Sequence, residues 1–268
     1  MNKKITISNS YNSQTIDRAF SILFTFYENP NIDSLTSLEI SELVNIPHST
    51  VFRLLSILQS WGLIEKNETT KEYRLGVACL RLGSAYLAKN DLRAKSTPLL
   101  KNLRDETGET VHLAIRDGTE VVYLEKFDGL HSIGVMSSRV GGRSPIYCTA
   151  VGKILLAFLP SNEIKAVVNS INLTRFTKNT ITEKDKFIEE LINIKANGFS
   201  RDNEEHEVDV ACIAAPIFNH EGNVVSALSI SGPAERINDN GESNKLIEKV
   251  ISCARKTSDN IGGGIYLK

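Results

Sequence analysis

Between His48 and Ser60 the polar residues recur on one side of a helix. With Ser49 at zero on a wheel of ~100° per residue, Ser49, Arg53, Ser56 and Ser60 fall together, and Val51, Leu54, Leu55, Leu58 and Trp61 fall opposite. A narrow face of small side chains around one guanidinium suits a helix entering the major groove of DNA. Small residues permit close approach, and Arg53 can bond a guanine bidentately. Ser49 and Thr50 stand at the helix start, where hydroxyls and unsatisfied amides can hold a phosphate, and we place His48 with them on the DNA-facing side. A solvated amphipathic helix presents the same kind of face, so the neighbouring elements have to decide. Downstream, Lys66, Lys71 and Arg74 could reach the adjacent groove or backbone, yet Glu65, Glu68 and Glu72 balance them. Residues 1–90 hold nine basic and eight acidic residues, a net of +1, without the basic excess usual in nucleic-acid binders. Phosphate contact then falls to a few placed residues, and two copies of the chain are needed for useful affinity.

His206, six residues before Cys212, raises a Cys/His nucleophile. Such pairs are defined by contact and an oxyanion site, which spacing does not supply. Five histidines and four cysteines (Cys79, Cys148, Cys212 and Cys253) show none of the short-spaced pairs of a structural zinc site. Neither catalysis nor a metal or cofactor is expected.

Residues 1–12 read as a loose polar tail. From Ser13, Ile16, Ala19, Phe20, Leu23 and Tyr27 make one apolar helix face, ended by Asn29-Pro30-Asn31. Thr36 and Glu39 read as a capping box before a helix over Leu38–Val44. Asn45-Ile46-Pro47 breaks the chain, and Gly62 stops the helix that starts at His48. Leu63–Lys66 and Lys71–Leu75, around the turn Asn67–Thr70, read as a hairpin. Three helices closed by a hairpin outline a winged helix-turn-helix over residues 13–76. A linking or dimerising helix follows over 77–92, with Val77, Leu80, Arg81, Ser84 and Leu87 along one side.

Residues 93–268 form a second domain. Thr110–Arg116 and Glu120–Phe127 read as strands around Asp117-Gly118-Thr119. Thr149–Leu159 and Thr182–Asn197 read as helices, Val208–Phe218 and Asn223–Gly232 as strands, and Glu242–Ile261 as a closing helix. That order is an α+β arrangement, helices on an antiparallel sheet. The length of 268 residues fits about two domains of ordinary size. Charged residues at 24% with a net charge of −1 exclude an overall basic field. Dispersed cysteines, no secretory h-region and apolar runs no longer than Val210–Phe218 lead us to expect a cytoplasmic protein without a membrane span.

The segments IDRAFSIL, IPHSTVFRLLSILQSWGLIEK, YRLGVACLRLG, TGETVHLAIRDGTEVVYLEK, GGRSPIYCTAVGKILLAFL, ELINIKANGFSRDNEEHEVDVACIAAPIF and VVSALSISGP follow one another from Ser13 to Gly263. In that order they resemble the IclR-type transcriptional regulators. The resemblance implies a winged helix-turn-helix on DNA, a linker helix and a GAF-like effector-binding domain. It also implies homodimers or dimers of dimers on a palindromic operator, and a small carboxylate effector such as a keto or sugar acid. Ser49, Thr50 and Arg53 match the family's recognition positions. The pocket would use the amides of Ala150 and Val151, with Asp202, Cys212, Ser229 and Ser231. The physics agrees: Ala150 and Val151 begin a helix, whose amides and dipole favour a carboxylate, and Ser229 and Ser231 alternate onto one face of a strand. On charge alone, Asp202 within DNEEHE reads as a solvated loop residue, and Cys212 as an inert core thiol. The chain departs from the family at Asp209 (usually glycine), Tyr147 (often histidine) and Ser144 (commonly hydrophobic), which implies a more polar pocket and a hydroxylated ligand over an aromatic one. The rival expectation is a metabolite-sensing interaction protein whose winged helix serves dimerisation instead of DNA.

Overall fold

The computed structural model describes residues 14–29, 31–88, 91–130, 138–239 and 241–263; the expected tail and the helix start at Ser13 lie outside them. The chain divides into two compact units, Met1–Lys89 and Asn90–Lys268.

In the first unit, α1 (Gln14–Glu28), α2 (Ser37–Val44) and α3 (His48–Ser60) pack together. A two-stranded sheet, β1 (Ile64–Lys66) and β2 (Tyr73–Leu75), and the helix α4 (Val77–Ala88) follow. The capping box forms: the Glu39 carboxylate accepts from the Thr36 amide at 2.7 Å, and Thr36 Oγ1 accepts from the Glu39 amide at 3.3 Å. Asn45, at φ 53°, turns the chain from α2 into α3. Val51, Leu54, Leu55 and Leu58 bury in one core with Ile22, Phe26 and Ile40. That packing turns the Ser49–Arg53–Ser56 face outward.

Three expectations here need correction. Trp61 is 75% exposed, because it is already the C-cap of α3 and the chain leaves at Gly62 with φ 66°. In α1 the core takes Ile22 and Phe26 with Ala19 and Leu23, while Ile16, Phe20 and Phe24 stay exposed. The helix is apolar on two sides, and periodicity does not say which side finds the core. The hairpin pairs Lys66 with Tyr73, so its loop runs over residues 67–72 and is longer than expected. Asn67 Oδ1 organises it by accepting from the Thr69 and Thr70 amides.

The second unit begins with α5 (Asp91–Thr107), a helix the sequence reading missed because its hydropathy is low and Pro98 sits inside it. Proline in a helix interior costs ~3 kcal/mol; burial of Leu100 and Leu103 against Val111, Leu113 and Val250 offsets that. The strands are β3 (Thr110–Asp117), β4 (Glu120–Phe127), β5 (Arg143–Pro145), β6 (Ser200–Asn203), β7 (Val210–Phe218) and β8 (Val224–Pro233). They form one antiparallel sheet in the order β5-β4-β3-β8-β7-β6. The short edge strands β5 and β6 were not foreseen.

The helices are α6 (Ala150–Ala157), α7 (Ser161–Ser170), α8 (Lys184–Asn197), α9 (Ala234–Ile237) and α10 (Ser243–Asn260); α7 and α9 were also missed. Strand parity sorts the core into two layers. Val111, Leu113, Ile213, Leu228 and Ile230 face α5 and α10, and Ala114, Tyr123, Ala214 and Ala227 face α6 and α8. Among the described residues no helix is long and apolar enough to cross a membrane.

Candidate effector pocket and DNA-facing helix

The residues on the α6 side of the sheet include few large hydrophobics, and there a cavity opens. Asp202 pairs across the sheet with Cys212, and Cys212 with Ser231. These three side chains therefore lie in one row over β6, β7 and β8. In the next row Ser229 pairs with His112 of β3. The start of α6 closes the cavity from above. Thr149 caps that helix, accepting from the Gly152 amide at 3.3 Å, so the amides of Ala150 and Val151 have no intrahelical acceptor. A Cβ at Gly152 would collide with the Ile146 carbonyl; glycine is what lets the helix start so close to the preceding turn.

All six expected pocket residues (Ala150, Val151, Asp202, Cys212, Ser229 and Ser231) line this one cavity, which encloses about 40 Å³. It is also lined by His112, Tyr123, Ser138, Ser144, Thr149, His206 and Glu207. His112 and Tyr123 escaped the sequence reading, although the alternation in TVHLAIRD puts His112 on the face of Ala114. Ser231 Oγ donates to Cys212 Sγ at 3.0 Å and lies 3.4 Å from His112 Nδ1; His112 Nε2 lies 2.9 Å from Ser138 Oγ. The His112 ring rests on Tyr123 with centroids 5.1 Å apart.

Burial sets the electrostatics. It pushes the His112 pKa down to about 3, with Lys126 adding to the effect, so the imidazole is neutral at pH 7. It raises the Cys212 thiol well above its ordinary value, which keeps a proton on sulfur and works against a thiolate nucleophile. Asp202 is not the solvated residue its charged surroundings advertise. It is buried, its Oδ1 accepts from the Glu205 amide at 2.7 Å, and burial together with the Glu205 charge raises its pKa to about 7. The cavity lining among the described residues holds two acids, Asp202 and Glu207, and no lysine or arginine. A carboxylate there would meet the α6 amides and a carboxyl group able to carry a proton.

Of the three departures from the family pattern, only Ser144 lines the cavity, where it accepts from Tyr123 OH at 3.3 Å. The Tyr147 hydroxyl donates elsewhere, to the Thr174 carbonyl at 2.7 Å. Asp209 is exposed at φ 62°, a backbone position that glycine occupies most cheaply, and its carboxylate does not line the pocket.

On the first unit, Ser49 and Arg53 are exposed on α3 and Thr50 is half-buried. His48 Nε2 is 2.9 Å from Ser37 Oγ, which ties the two helices of the helix-turn-helix together. Ser56 Oγ donates to the Phe52 carbonyl. Phe52, half exposed beside this face, is an apolar group of the kind that contacts a thymine methyl; the wheel reading did not single it out. The cations of the hairpin are engaged within it. Lys66 and Lys71 lie 3.9 and 3.2 Å from Glu68, and Arg74 lies 3.0 Å from Glu65. The second Glu65 oxygen accepts from the Val77 amide at the start of α4.

Comparison with known proteins covers both units. Residues 15–68 match the IclR helix-turn-helix domain, and residues 84–259 match the bacterial transcriptional regulator IclR C-terminal domain. The chain is 36% identical over 226 residues to the HTH-type transcriptional regulator XynR of Escherichia coli K12, covering 84% of this chain and 88% of that protein. It is 33% identical to the regulator BhcR of Paracoccus denitrificans, over 91% and 86% of the two chains. Among solved structures, the IclR of Thermotoga maritima superposes with a TM-score of 0.77 at 33% identity, covering 94% of this chain and all (100%) of that one. An IclR homologue from Microbacterium hydrocarbonoxydans, complexed with 4-hydroxybenzoate, superposes with a TM-score of 0.81 at 25% identity, over 92% and 98% of the chains.

Proposed function

The chain belongs to the IclR family of bacterial transcriptional regulators, and from that premise we propose a cytoplasmic, non-enzymatic repressor that binds a palindromic operator as a dimer and releases or grips it in response to a small organic acid. The observation that carries the effector half is the convergence of six residues from four elements on one cavity beneath the first amides of α6. Those amides and the helix dipole take the carboxylate. Ser229, Ser231 and Ser144 take hydroxyl or carbonyl oxygens, and Asp202 donates when protonated. The polar lining of serine hydroxyls, Asp202 and His112 favours a keto or sugar acid over an aromatic one.

The DNA half rests on α3, whose exposed Arg53 has no ion pair among the described residues, and on two copies supplying two such helices. The exposed apolar residues Ile16, Phe20 and Phe24 of α1 and Val77, Leu80, Leu82 and Tyr86 of α4 are the surfaces through which a second copy would pair. Effector binding would then work by linkage, favouring one placement of the two winged helices over another. A thermal-shift screen with glyoxylate, pyruvate, glycerate and benzoate tests the pocket. Stabilisation by the small polar acids is expected, and stabilisation by benzoate alone would overturn the ligand class. The internal pairing of Lys66, Lys71 and Arg74 with glutamates favours one second reading, a sensor whose winged helix serves dimerisation. DNA binding without a salt slope would support that reading, because phosphate neutralisation must produce one.

A further inference from the structure

We propose that Lys153, which does not line the cavity, is the positioning residue of the pocket: through Glu205 it ties Asp202 to the helix whose first amides face the same space. The proposal rests on the effector reading above. Lys153 follows Ala150 by one turn of α6 and is 1% exposed. Its ammonium reaches Glu205 at 2.5 Å and Glu190 of α8 at 3.1 Å. The Glu205 amide donates to Asp202 Oδ1 at 2.7 Å, which completes a path from the pocket helix to the pocket acid. A second tether runs from Ser200 Oγ at the start of β6 to the Ala150 carbonyl, 2.7 Å. Thr177 and Thr180 hold the carbonyls of Glu204 and Glu205 at 2.5 and 2.7 Å. The segment carrying His206 and Glu207 into the cavity is therefore clamped from two sides.

A buried ammonium is costly to desolvate unless it is paired, so Lys153 demands both carboxylates. One Glu205 oxygen nevertheless has no hydrogen-bond partner, which leaves Glu205 charge acting on Asp202. The ionisable groups acting on Asp202 are Lys153 on α6 and Glu205 in the turn after β6. Cys148 before α6, Cys212 on β7 and Tyr123 on β4 also feel its charge. His206 and Glu207 share the cavity, and Glu190 reaches the cluster through Lys153.

The test is a carbon-13 NMR titration of aspartate-labelled full-length protein, with the Asp202 signal assigned by Asp202→Asn. Glu205→Gln keeps a partner for Lys153 but removes a negative charge, and the Asp202 midpoint is expected to fall by roughly one pH unit or more. Lys153→Met removes the positive charge, and the midpoint is expected to rise. A general loosening of the fold would move both variants the same way, so opposite displacements support the positioning role. Equal-sign or absent displacements overturn it, and if Lys153→Met does not fold, Lys153→Gln, which keeps a hydrogen-bond donor without the charge, takes its place. The titration uses no ligand, so its failure overturns the role of Lys153, whereas no stabilisation by glyoxylate or glycerate overturns the effector reading.

Discussion

Asp202→Asn should make the protein more stable, and increasingly so as the pH rises. The native state holds this carboxyl at a pKa of about 7 instead of the ordinary 3.8. Between those values the folded chain binds more protons than the unfolded one, so this group's contribution to stability falls as pH rises and levels off above pH 7. At about 1.4 kcal/mol per pH unit the full penalty at pH 8 is roughly 4 kcal/mol, and the part that develops between pH 5 and pH 8 is roughly 3 kcal/mol. Asparagine is close to the neutral acid in shape, and its carbonyl can accept the same Glu205 amide. The variant should therefore gain about 3 kcal/mol over wild type between those two pH values, read from urea unfolding by circular dichroism. The single tryptophan, Trp61, lies in the other unit, and its fluorescence transition should not follow the substitution. An advantage independent of pH, or a loss of stability at pH 8, would refute the reasoning. A buried group that destabilises the fold in this way is what a binding site requires and a core does not.

Arg53→Ala, at an exposed position, should leave the melting temperature unchanged and weaken specific DNA binding by about 1–3 kcal/mol, measured by fluorescence anisotropy. Replacing Glu65 and Glu68 together by glutamine frees Arg74, Lys66 and Lys71 of the hairpin; binding to any duplex should tighten, and the slope of log affinity against log salt should steepen by about 1 for each cation that gains a phosphate. Ser231→Ala removes the hydroxyl shared by Cys212 and His112. It should weaken effector binding by about 0.5–1.5 kcal/mol and leave operator affinity without effector intact; loss of operator binding in the folded variant would show that the two units do not divide the work.

Local chemistry with a strict stereochemical rule was legible in the residues. The Thr36–Glu39 box, the left-handed glycine at 62, and the alternation that puts Ser229 and Ser231 on one face all formed as read. Features decided by the partner were not legible. The outer and inner faces of α1 are both apolar, so only packing could assign them. α5 contradicts its own propensity at Pro98 and is held by the sheet. Asp202 sits among charges that signal solvent, and its burial depends on the Glu205 amide, which meets it only in the folded chain. Lys153 did leave a signal, as one cation inside the apolar run AVGKILLAF, every residue of which is buried except Phe158. A lone charge in such a run has to find a counter-ion in the core.

The central claim is tested most directly by selecting binding sequences from random duplex DNA with purified full-length protein at ~100 mM salt, where phosphate contacts still contribute. Wild type and Arg53→Ala should be run side by side. The account predicts enrichment of a two-fold symmetric site by wild type and its loss in Arg53→Ala. No enrichment by the folded wild-type protein, with or without small organic acids, or equal enrichment by both proteins, would contradict it.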